Sequence, residues 1–160
     1  MTNTVVKIID SNKRVVYKLV GDAAEARTLK IDAGKLNFAL NTTNIIDTTG
    51  TDRKATYGLD LKRITYDVKG SSIELSTSGD ASVNTFLILY GAGTMALDEG
   101  TNPMYINVSA VANSTGNVFL QSIGGAPTGV SNSYSIILDF RKNPAHYDQG
   151  QTAEPSAFNK

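Results

Sequence analysis

Apolar residues recur at every second position in short runs along almost the whole chain, and no stretch repeats them at the spacing of a convincing amphipathic helix. A period of two sends alternate side chains to opposite faces of an extended strand, so the pattern restricts the chain to β architecture. The stretch SYSIILDFRK at 133–142 is the clearest case. Tyr134, Ile136, Leu138 and Phe140 share one parity, and Ser135, Ile137, Asp139 and Arg141 the other. One face is apolar and the other mixed, which specifies packing but no reaction.

The same reading gives about nine strands. TVVKII at 4–9 and RVVYKLV at 14–20 are joined by DSNK, whose Asp, Ser and Asn favour a turn, so a hairpin is expected. RTLKID at 27–32 sets Leu29 and Ile31 on one face, with Lys30 and Asp32 on the other, and Gly34 follows as a stop. Within 59–68 the parity changes, Leu59 and Leu61 against Ile64, Tyr66 and Val68, which places a bulge near Lys62 and Arg63. KGSS at 69–72 is expected to turn the chain into a separate strand, IELST at 73–77. NTFLILY at 84–90 reads as a central strand covered on both faces or lying in a subunit contact, ended by GAGT. MYINV at 104–108, NVFLQSI at 117–123 and the stretch at 133–142 complete the set. Many short strands with frequent turn signals point to an all-β, antiparallel β-sandwich of jelly-roll or immunoglobulin-like type with extended terminal arms.

At 160 residues one domain is expected, large enough to bury roughly 70% of the surface its unfolded chain exposes. The absence of cysteine removes disulfides and thiolate metal sites, so the core must stand on packing and backbone hydrogen bonds. Fifteen basic residues balance fifteen acidic ones, which supplies no field to draw the protein onto nucleic acid. The longest apolar stretch, 86–90, is far below the ~20 residues of a membrane helix, and Asn3, Lys7 and Asp10 interrupt any secretory core. A soluble, unprocessed chain is expected, with neither nucleic acid nor membrane as partner.

Catalytic constellations are hard to assemble from these residues. The single histidine, His146, falls in the C-terminal stretch and is expected to be an exposed polar residue; no GxSxG surrounds a serine. DTTGTD at 47–52 and DEGTN at 98–102 lack the spaced carboxylates of a calcium loop, and GAG at 91–93 lacks the lysine and helix of a phosphate loop. Carboxylates such as Asp67, Glu74 and Asp139 sit beside turns or on polar strand positions, where solvated surface duty is expected. The reading is therefore a non-enzyme without cofactors or metals.

Two segments stand apart from the strand pattern. The long loop 33–58 carries Leu36, Phe38, Leu40, Ile45 and Ile46; it is either an extra hairpin packed on the core or a partner-binding loop. The stretch 143–160, with two prolines and the aromatics Tyr147 and Phe158, is expected to leave the domain at 142, as a loose terminus or as an arm that orders on a neighbour. Leu36, Phe38, Ile45, Ile46, Tyr147 and Phe158 are the candidate partner-binding residues, on a domain spanning 1–142.

In their order along the chain, YKLVGDA at 17–23, TLKID at 28–32, RITYDVKGSSIEL at 63–75, LILYGAG at 87–93, GNVFLQSIG at 116–124 and SYSIILDFRK at 133–142 resemble a family of small virion structural proteins from marine tailed bacteriophages, including cyanophages. The resemblance implies a capsid decoration or cement protein on the outer surface of the virion head. Its implied partners are the major capsid protein and other copies of itself, as a homo-oligomer on the capsid. The alternative is a carbohydrate-binding virion module that aids host attachment, with exposed aromatics near NPMYIN at 102–107. A small β-sandwich hydrolase is the weakest reading.

Overall fold

The computed structural model describes residues 3–40, 57–78, 83–99, 105–108, 115–144 and 146–148. Among them are eight strands: β1 (Thr4–Asp10), β2 (Arg14–Gly21), β3 (Thr28–Ile31), β4 (Leu59–Ser78), β5 (Val83–Ala96), β6 (Ile106–Asn107), β7 (Val118–Ile123) and β8 (Ser133–Lys142), with a single 3-10 turn at Ala33–Lys35. No α-helix occurs among the described residues. All pairings are antiparallel and belong to one sheet, ordered β1-β2-β8-β4-β7-β3, with β5 and β6 also paired to β4. The sheet nearly closes into a barrel.

The organising element is β4, twenty residues long. Residues Arg63 to Val68 pair with β8 on one edge and with β5 on the other, and residues Ile73 to Ser76 pair with β7 and β5. One strand therefore carries both halves of the sheet. The turn expected at KGSS does not form, and the chain bends there without reversing. Gly70 takes φ +86°, a conformation open to glycine at little cost. The Ser71 N–H and hydroxyl both donate to Asn132 Oδ1, the N–H over 2.8 Å. The backbone donor at the bend is thus satisfied by a side chain, so the strand continues and changes partner from β8 to β7. Strand β5 likewise runs on past a glycine of positive φ, Gly91 (φ +75°), to Ala96, whereas the sequence predicts an end there.

Other local expectations are met. The β1–β2 hairpin forms at the predicted place, and the bulge falls at Lys62, where the register passes from Leu61 opposite Phe140 to Arg63 opposite Asp139. Strand β3 differs. A register shift between Leu29 and Ile31 leaves Ile31 buried and Leu29 exposed. It also turns Lys30 inward, where its ammonium pairs with the buried carboxylate of Glu25. Tyr134 donates its hydroxyl to the other Glu25 oxygen over 2.5 Å.

The core is one cluster shared by both halves of the sheet. Leu19, Ile64, Ile136 and Leu138 come from the β2–β8–β4 half, and Leu75 and Leu120 from the β4–β7 half. The face predicted for residues 133–142 is buried from Tyr134 to Phe140.

Candidate partner-binding surface

At one end of the sheet, the chain after β8 folds back instead of leaving. Lys142 continues the inward parity of Tyr134, Ile136, Leu138 and Phe140, so its side chain is delivered into the core and is fully buried. A lone buried ammonium costs several kcal/mol in lost hydration, and only dense pairing offsets that. Here Nζ donates to Asp10 Oδ1 at 2.5 Å, to the Ser11 carbonyl at 2.6 Å and to the Asn37 carbonyl at 2.8 Å. It also lies 5.0 Å from the centre of the Tyr147 ring. Asp10 is held in turn by Lys7 Nζ (2.8 Å) and the Asn37 N–H (3.0 Å). Burial alone would raise the Asp10 carboxyl pKa, but these hydrogen bonds outweigh it and hold the group below its usual range.

This ion cluster ties together the β1–β2 turn, the end of β8 and residues 33–40. Residues 143–148 close over it. Tyr147 is fully buried and donates its hydroxyl to the Ala33 carbonyl at 2.7 Å, with its ring 5.7 Å from that of Tyr57. The Leu40 N–H donates to the His146 carbonyl (3.0 Å), and the Asp148 N–H to the Phe38 carbonyl (2.8 Å). The domain therefore extends at least to Asp148, beyond the boundary expected at 142, because Tyr147 completes the core. His146 is half-buried, not an exposed polar residue, and its Nδ1 accepts the Gly58 N–H at 2.8 Å.

The six candidate residues are placed very differently. Leu36 and Tyr147 belong to the core. Phe38 is 45% exposed. Ile45, Ile46 and Phe158 lie outside the described residues. Phe38 also has φ +65°, a left-handed conformation that costs a bulky residue roughly 1–2 kcal/mol. Its neighbours enforce it: Asn37 is fixed from both sides by Asp10 and Lys142, the Phe38 carbonyl by Asp148, and Leu40 by His146. The segment is thus a rigid platform that presents one aromatic ring to the outside.

Sequence reasoning missed Lys142, the half-buried setting of His146 and the buried setting of Tyr57. The parity of residues 134–142 carried the signal for Lys142; nothing local marked the other two.

Among the described residues no group of three or more His, Asp or Glu side chains converges as a metal site, and no helix is long and apolar enough to cross a membrane. Near the expected aromatic site at 102–107, the Arg141 guanidinium sits 4.2 Å over the Tyr105 ring and pairs with Asp60 at 2.7 Å. One face of that ring is occupied by the protein itself.

The His146 contact carries a pH dependence. Burial lowers its pKa from the ordinary 6.5, so the unfolded chain takes up the proton more readily than the folded one. Stability should be complete above about pH 6.5 and fall as pH drops below it. Urea midpoints at about pH 7.5 and 5.5 test this; His146→Asn, which keeps an acceptor but cannot titrate, should lose that part of the slope.

No protein-family model, curated protein or solved structure matches this chain.

Proposed function

We propose that the protein is a non-enzymatic decoration or cement protein of a tailed-phage head, binding the major capsid protein on the outer surface and bridging capsid subunits. The observation that carries this reading is Phe38, an exposed aromatic held at a strained backbone conformation by a buried ion cluster. A rigid ring of this kind docks in a partner's apolar pocket with little ordering cost. Sequence motifs arranged as in small phage virion proteins support the same class, as does a balanced charge suited to dense packing. The fold is read in the same terms, as a jelly-roll or immunoglobulin-like variation in which the two halves of the bent sheet act as facing layers. Each contact can be weak, since repetition over the lattice multiplies it.

The test is the copy number in purified virions, by quantitative mass spectrometry against the major capsid protein. A ratio near one, or a simple lattice fraction, supports decoration. A handful of copies, or none, overturns it and favours a role at tail fibres or on host glycans.

A variant separates binding from folding. Phe38→Gly removes the ring and relieves the left-handed strain, so stability is expected to hold or rise by about 1 kcal/mol. Binding to particles stripped of the protein should fall at least tenfold. Retained binding would show that Phe38 is not the anchor.

A further inference from the structure

Among the described residues the outer strands of the sheet are β1, β3, β5 and the two-residue β6, and they are not alike. Strand β1 carries Lys7 at its centre and a register break between Lys7 and Ile9. Strand β3 has only four residues and includes Lys30. Charge, bulges and shortness are the usual protections against edge-to-edge pairing. Strand β5 has neither charge nor shortness, and its register against β4 shifts only on either side of Leu87–Leu89. It is fourteen residues long, contains no charged side chain, and pairs only with β4 among the described residues. Its outward face shows Ile88, 57% exposed, and Tyr90, 64% exposed, on either side of the buried Leu89.

We propose that β5 is the contact between two copies of this chain, which pair antiparallel along this edge about a twofold axis at Ile88. In that register Ile88 faces its own copy and Leu87 faces Leu89, within the stretch that the register shifts leave regular. No charge meets a like charge, and the apolar run is its own complement, as an isologous contact requires. The nearest acid is Glu74, opposite Ile88 on β4; it is engaged by Thr85 at 2.5 Å and Gln121 at 3.2 Å. Two intervening strands set the two Glu74 carboxylates about 14 Å apart, beyond the screening length at physiological salt. Pairing consumes the edge on both copies, so association stops at two. A contact along one strand edge falls at the small end of specific interfaces, so the concentrations that test it are micromolar.

This proposal does not rest on the preceding one; the capsid assignment can fail while it stands. The experiment uses the isolated full chain and no particle. Sedimentation velocity from about 1 to 100 µM should show the mass rise from 17.0 kDa towards twice that value. Ile88→Lys should stay monomeric across the range, whereas Val6→Lys on the β1 edge should dimerise like the parent. A parent monomeric at the highest concentration, an Ile88→Lys protein that still dimerises, or a dimer lost in Val6→Lys each overturns the proposal. Should Ile88→Lys fail to fold, hydrogen exchange on the parent decides: amides around Ile88 must gain protection as concentration rises, and equal protection throughout refutes the contact.

Discussion

Replacing Lys142 by methionine is expected to lower the unfolding free energy by about 3–5 kcal/mol, as removal of one partner from a buried ion pair does. Against the 5–15 kcal/mol typical of a whole domain, that is a large share. The physical cause is what the change leaves behind. The Ser11 and Asn37 carbonyls lose the ammonium donor, and the Asp10 carboxylate keeps only Lys7 and the Asn37 N–H. Urea unfolding of parent and variant measures the difference; a loss below about 1 kcal/mol would mean that the cluster is dispensable. Acid gives an independent check. Asp10 titrates below its ordinary value in the folded protein, so the unfolded chain binds the proton more tightly. Its contribution is present above about pH 4 and is lost as pH falls further. That loss should shrink in Lys142→Met, where the Asp10 carboxyl no longer has its closest cation.

Tyr147→Ala is expected to cost a similar amount, about 3–5 kcal/mol, by emptying a fully buried aromatic site between Tyr57, Ala33 and Lys142. Tyr147→Phe should cost only about 1 kcal/mol, the hydroxyl's bond to the Ala33 carbonyl. The pair of values separates packing from hydrogen bonding. It also governs how the C-terminal stretch can be tested. A chain cut after Lys142 would lose a core residue and unfold for reasons unrelated to partners, so shortened forms must keep residues through Asp148. Thermal melts of Tyr147→Ala and Tyr147→Phe settle the point; equal midpoints would show that the ring contributes nothing.

Much of the strand pattern could be read from parity alone. Strands β1, β2 and β8 and the bulge at Lys62 follow from which residues alternate, because period two and burial are direct consequences of the pleat. Two of the failures occur where a glycine carries an unusual φ. Gly70 and Gly91 look like turns in the sequence, but the strands run through both, and at Gly70 Asn132, sixty-one positions beyond Ser71, supplies the Ser71 N–H with an acceptor. No local signal reports that partner. The candidate surface was partly legible. Phe38 was picked as an apolar residue in a long loop, but its left-handed backbone depends on Asp10, Lys142, His146 and Asp148, which only the fold brings together. Tyr147 was read as an anchor on an arm because a single aromatic between polar residues has no periodicity to place it on a core.

The position of β8 has a consequence for the order of events in biosynthesis. Residues 133–142 are inserted between β2 and β4, so the β1–β2 hairpin has no lasting neighbour beyond itself until β8 has been made. A ribosome adding ~5–20 residues per second therefore exposes the β1–β2 hairpin for seconds before its permanent partner emerges. Pairing so distant in sequence is slow to form. The nascent hairpin, with Val5, Val6, Ile8 and Ile9 uncovered even in the finished molecule, is where chaperone capture or premature clumping would begin.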